Sequence, residues 1–170
     1  ITLHYTLKNP ENYGINNTPI SYGQCTTAPG LVRSSVDAER TRLQSHNRTS
    51  LSKDNRLTHD VLDNYLTSAY DLAPYTLYEE PLAPLTGTQS QLPVILSEYR
   101  FYKISDIDNY LKLLTRTPEY FRSILNFEHT KSESGLFMAS YTADSIIKEC
   151  RDFVNLKESN YLYSSFVERL

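Results

Sequence analysis

The sequence predicts an all-α protein, an antiparallel bundle or array of about six to seven helices behind an extended, loop-rich N-terminal arm. Apolar residues recur at helical intervals over most of the chain. No alternating run of the strand type occurs beyond the first few residues. Proline, glycine and small polar residues stand where helices would start or stop.

Residues 1–30 carry three prolines, three of the five glycines and the pair Asn16-Asn17, which reads as an arm. LHYTL (Leu3–Leu7) reads as a short strand or edge segment within it. An arm of that length needs a surface to lie across. The helical domain is placed at residues 31–170. Val32, Val36, Leu43 and Leu51 recur through a charged stretch, predicting an exposed helix with a thin apolar stripe. Leu57, Val61, Leu62, Tyr65, Leu66, Ala69 and Tyr70 give the clearest amphipathic helix, with Asp54 or Asn55 as N-cap. Pro81, Pro84 and Gly87 then forbid regular structure before Thr88.

Four or five shorter helices are expected after that loop. The first is LPVILSEYRFY, with Pro93 in its opening turn, where a missing N–H costs nothing. Ser105 caps the second, DIDNYLKLLTR, with Asp108 in the reciprocal capping position. Thr117 and Pro118 start a third, whose apolar side is Tyr120, Phe121, Ile124 and Leu125. Gly135 precedes a fourth capped by Thr142, in which Ile146, Ile147, Cys150, Phe153 and Val154 form one broad face against the core. A last helix runs from about Ser159 to Leu170 without a stop signal, as a fragment boundary would.

With 170 residues, 39% hydrophobic and 22% charged, the chain is long enough and apolar enough for a packed core. A net charge of −3 gives no reason to expect nucleic acid as a partner. No apolar run approaches the ~20 residues of a membrane helix, so no membrane contact is expected from these residues. The first residues lack the charged and apolar regions of a signal peptide, and no Met stands first; the start is expected to be a product of processing, proteolysis or design. Cys25 and Cys150 are too few for a disulfide framework and are expected to be unpaired, Cys25 in a loop and Cys150 in a helix core. Fourteen tyrosines without a tryptophan suit half-buried positions at core and rim.

Little here has the spacing of a catalytic or metal site. None of His4, His46, His59 and His129 has a second histidine at i+4. His59 and Asp63 share a helix face and read as a solvated pair, while Glu128 and His129 are adjacent and point about 100° apart. Glu79-Glu80 reads as surface charge rather than an acid/base pair, and Cys25 has no signature of a nucleophile. No G-x-S-x-G elbow or phosphate-binding glycine loop occurs. The segment LTGTQSQLP alone keeps a recognition role. Thr86, Thr88, Gln89, Ser90 and Gln91 either offer polar groups to a peptide or cap the following helix.

Four stretches carry a resemblance: PLAPLTGTQSQLPVILSEYRFY (Pro81–Tyr102), LHYTLKNPENYGI (Leu3–Ile15), DIDNYLKLLTRTPEYFRSIL (Asp106–Leu125) and GLFMASYTADSIIKEC (Gly135–Cys150). Together they resemble the bacterial DUF885 family of zinc-peptidase-like proteins, in the clostridial type often made as lipoproteins. The resemblance implies an N-terminal portion whose H-E-x-x-H zinc helix lies downstream, with no cofactor in this chain and zinc in the parent. It implies a non-catalytic wall or lid of a substrate cleft, with the remainder of the parent chain as partner, a peptide as substrate and a secreted or lipid-anchored location. The alternatives are a free-standing helical module that holds a peptide or glycan, and a complete enzyme with a site that the spacing does not reveal.

Overall fold

A computed structural model describes residues 7–170. Six α-helices and several 3-10 turns account for its regular structure, and no strand occurs among the described residues. The all-α expectation holds. The LHYTL segment lies, but for Leu7, outside the described residues. Two compact units are present, one of residues 7–25 with 80–170 and the other of residues 26–79.

The unit of residues 26–79 contains α1 (Pro29–Gln44) and α2 (Lys53–Leu72), which pack against each other. Pro29 opens α1 in the position where its missing N–H is harmless. Val32, Val36, Arg40 and Leu43 form its half-buried stripe. Ser52 caps α2 by accepting from the Asn55 N–H at 3.3 Å, so the cap lies two to three residues before Asp54 and Asn55. Leu66, Ala69 and Tyr70 are half-buried, and the guanidinium of Arg33 stands 5.0 Å from the Tyr70 ring centre. The other apolar line of α2 remains open to solvent, with Leu57 at 67%, Val61 at 59% and Tyr65 at 68% exposure. A 3-10 turn, Ala73–Tyr78, buries Ala73 and Thr76.

The second unit holds α3 (Thr88–Ser97), α4 (Ile104–Glu133), α5 (Ser140–Asn155) and α6 (Tyr161–Arg169). Its core joins Leu92 and Leu96 of α3 to Tyr99 and to Tyr110 and Leu113 of α4, with Leu162 and Phe166 of α6 packed on that cluster. Tyr110 and Phe166 stack with ring centres 5.5 Å apart. Arm residues 20–25 lie along α4. Ile20 packs on the core cluster, the Tyr22 hydroxyl is 3.2 Å from Thr117 Oγ1, and the Cys25 N–H donates to Ser123 Oγ at 3.1 Å.

Several boundaries differ from expectation for physical reasons. Helix α3 begins at Thr88, so Pro93 lies inside it rather than in its first turn, and Tyr99 to Tyr102 lie beyond its end. The two helices expected around Pro118 are one helix of 30 residues. A mid-helix proline costs roughly 3 kcal/mol, but Tyr110, Leu113, Ile124 and Phe127 bury on both sides of it, and Pro118 itself is exposed. The start of α4 is held by Asp106 rather than by Ser105 and Asp108. Asp106 Oδ2 accepts from the N–H groups of Tyr102 at 2.9 Å and Lys103 at 3.1 Å. Helix α5 begins at Ser140, two residues before Thr142. Its apolar face divides: Ile146 is buried and Phe153 half-buried, whereas Ile147, Val154 and Cys150 are exposed. Cys150 is therefore not a core residue, and no disulfide joins it to Cys25.

Candidate functional site

The residues singled out around LTGTQSQLP lie in a loop that hydrogen-bonds to itself and to α5. Gln89 is buried, and its Nε2 donates to the Ala83 carbonyl at 2.7 Å and to Glu149 Oε2 at 3.0 Å. Ser90 Oγ donates to the same Glu149 oxygen at 2.9 Å. These two hydrogen bonds hold the Glu149 carboxyl below its ordinary range. Gln91 Nε2 donates to the Leu85 carbonyl at 2.7 Å. The Thr88 N–H donates to Pro81 O at 2.9 Å, and that of Thr86 to Pro84 O at 2.8 Å. Thr86 and Gln91 are exposed, and Thr88 is half-buried. Leu85 has φ of +66°, a left-handed conformation that costs a side chain of its size and is held by these bonds.

A second arrangement has the makings of a site. Between α4 and α5 lies a hollow of about 460 Å³. Phe121, Ile124 and Leu125 of α4 and Ala143, Ile146 and Ile147 of α5 line it, together with Phe137 and Met138 from the segment between the helices and Leu82 from the proline loop. Into this apolar lining the sequence places Glu128, with His129 beside it on the exposed side of the helix. Glu128 is only 6% exposed, and neither carboxylate oxygen has a hydrogen-bond partner among the described residues. Burial pushes its carboxyl above the ordinary value; Lys131 pulls it down and Glu80 pushes it up, both less strongly. Lys131, 1% exposed, pairs with Glu80 Oε1 at 2.5 Å and so ties the start of the proline loop to α4.

Glu80 is an exposed charge that also pairs with buried Lys131. Spacing does not single out Lys131, and it presents Glu128 only as a partner of His129. A signal was present. Ile124, Phe127, Glu128 and Lys131 follow i, i+3, i+4, i+7, so both charges occupy the buried register of α4. A larger and more polar hollow, about 900 Å³, lies between the arm and the start of α4. The buried carboxylate in its lining, Asp106, is already occupied by the N–H groups of Tyr102 and Lys103 just ahead of α4.

The described residues do not fit a zinc ion. No three His, Cys, Asp or Glu side chains among them stand close enough to share a metal. His4 lies outside the described residues. His59 is not a solvated partner of Asp63: its side chain is 12% exposed and its Nδ1 lies 3.7 Å from Asp60 Oδ1, and among the described residues neither its ring nitrogens nor Asp63 Oδ1 makes a hydrogen bond. No helix among the described residues is long and apolar enough to cross a membrane.

A family model, DUF885, described as a bacterial protein of unknown function, matches residues 32–169. No curated protein matches the chain, and no solved structure does. The match covers α1 through α6, including the proline loop and both walls of the hollow, and on that extent this chain belongs to the DUF885 family.

Proposed function

We propose that this chain is the non-catalytic helical portion of a DUF885 protein and forms one wall of a substrate cleft. In this reading the hollow between α4 and α5 receives an apolar group of the substrate, a peptide side chain being the class that fits. The hollow carries the reading. Protein interiors are close-packed, and an unfilled space of about 460 Å³ with an almost wholly apolar lining has the dimensions of a ligand site. The Lys131–Glu80 pair supports it by bracing the loop that supplies Leu82.

The zinc that the family resemblance implies belongs, on this proposal, to residues other than those described, and the remainder of the parent protein is the partner that carries them. A secreted or lipid-anchored location is part of the same proposal. The loop residues Thr86, Thr88, Gln89 and Gln91 take a secondary part, shaping the edge from which Leu82 projects.

The test is a titration of the 170-residue chain with short peptides that differ only in one side chain, Phe or Leu against Ala, followed by NMR shifts of the hollow's methyl groups. Peptides with the larger side chains should bind, and Ala143→Phe, which fills the hollow from α5, should abolish their binding while the fold is kept. No binding by the unaltered chain, or binding indifferent to Ala143→Phe in a folded variant, overturns the reading.

A further inference from the structure

We propose that the occupant of the hollow is a cation, an apolar chain or ring that ends in a primary ammonium or guanidinium group, and that Glu128 takes its charged end. This rests on the reading of the hollow as a substrate site and adds the chemistry of the substrate. A buried carboxylate without a hydrogen bond is costly, because the water it gave up has not been replaced. Glu128 is in that position, 6% exposed with neither oxygen hydrogen-bonded among the described residues.

The groups around it narrow what could complete it. Lys131 is ion-paired with Glu80, and its attraction for the Glu128 carboxylate, offset in part by Glu80, is weaker than the effect of burial. From α5 the hollow is faced by Ala143, Ile146 and Ile147, and from the proline loop by Leu82, none of which carries a charge or a side-chain donor. From α4 itself His129 and Ser132 also line the hollow, both on the exposed side of the helix, and neither is hydrogen-bonded to Glu128. An ionised Glu128 therefore adds one negative charge to a site with an apolar lining. An anionic occupant would be repelled, and a neutral hydrocarbon would leave the carboxylate as it is. An alkyl or aryl ammonium satisfies both halves, its apolar body against Phe121 and Ile146 and its N–H donors on the carboxylate once the Glu128 side chain turns toward it.

The pH dependence has a definite sign. When protonated, Glu128 is neutral and gives a cation no advantage. Burial raises its titration above the ordinary glutamate value of about 4.3, so the preference for a cation grows as pH rises through that raised value. Binding a cation then releases a proton from the fraction of Glu128 still protonated.

The experiment titrates the chain with three probes of equal length, hexylammonium, hexanol and hexanoate, between pH 5 and 8, by NMR shifts of residues lining the hollow. Hexylammonium should bind about 10-fold more tightly than hexanol near pH 8, the scale of one charge-assisted hydrogen bond, with hexanoate weakest and the preference shrinking toward pH 5. Glu128→Gln should remove the preference and keep hexanol binding, and His129→Ala should leave the preference in place. The probe series on the unaltered chain tests the inference even if a variant folds poorly. Equal binding of all three probes, or a preference that survives Glu128→Gln or vanishes with His129→Ala, overturns the cation assignment and leaves the hollow standing. Failure of every probe to bind overturns the hollow itself.

Discussion

Arg169 Nη1 donates a hydrogen bond to the carbonyl oxygen of Tyr99, joining the end of α6 to the segment that links α3 and α4. The same guanidinium stands 5.0 Å from the ring centre of Phe101 and 5.3 Å from that of Tyr110, and its Nε donates to the Ser165 carbonyl at 2.7 Å. One planar cation thus serves a backbone carbonyl and two aromatic faces, a combination that lysine's point charge cannot reproduce.

Arg169→Ala should lower the stability of this unit by about 2–3 kcal/mol, combining a charged hydrogen bond with partly buried cation–π contacts. Arg169→Lys should recover less than half of that loss. Urea denaturation of both variants measures it, and equal stabilities for Arg169→Lys and the unaltered chain would show that the fork geometry does not matter.

Gly87 is needed for space rather than for backbone angle, since its φ is −72°. A Cβ there would collide with the backbone nitrogen and oxygen of Ala83 and with Gln89 Oε1. Gly87→Ala should therefore cost about 1–3 kcal/mol through the forced shift of the loop. It should also disturb the Gln89–Glu149 hydrogen bond, which a changed Gln89 side-chain amide resonance would report.

Neighbouring isoleucines in α5 should behave in opposite ways. Ile146 is 6% exposed, and Ile146→Asp places an unpaired charge in the core, a loss of several kcal/mol that should unfold the unit. Ile147 is 46% exposed, so Ile147→Asp should leave the melting temperature nearly unchanged, contrary to what the continuous apolar face in the sequence suggests. Because Ile147 lines the hollow, its loss should appear as weaker binding of apolar peptides instead.

Glu128→Gln should alter the pH dependence of stability. A carboxyl whose folded-state titration is raised binds more protons folded than unfolded, so its contribution is fully present below the unfolded value of about 4.3 and is lost as pH rises through the folded value. The glutamine variant lacks that decline and should be the more stable protein at pH 7, by about 1 kcal/mol or more. Denaturation midpoints at pH 4, 5.5 and 7 check the sign, and a difference that stays constant across the three would contradict it.

The fold class was legible because helical periodicity is local. The spacing of Val32 and Val36, and the proline and glycine punctuation from Pro81 to Gly87, require no knowledge of distant residues. Capping was read less well. Ser52 and Asp106 won over Asp54, Ser105 and Asp108 because a cap is decided by which side chain reaches an open N–H, and several candidates lay within two or three positions. Pro118 misled because a proline inside a helix is unfavourable only until burial on both flanks outweighs it. The hollow was hidden in a different way. Glu128 and Lys131 stood in the apolar register of α4, but their meaning depends on Glu80 and on α5, which no local pattern connects to them.

By itself the sequence determined that this chain forms helices, roughly where most of them run, and that the stretch before Thr88 is a loop. Hydrogen bonds within a turn and the period of apolar residues act over a few positions, so they are written locally. The tertiary structure alone decided which of two apolar lines on α5 is buried, that one helix continues through Pro118, and that Lys131 meets Glu80 while Glu128 meets no donor among the described residues. Those outcomes depend on groups far apart in sequence that share a low-dielectric interior, where burial and charge are settled by whatever packing brings together.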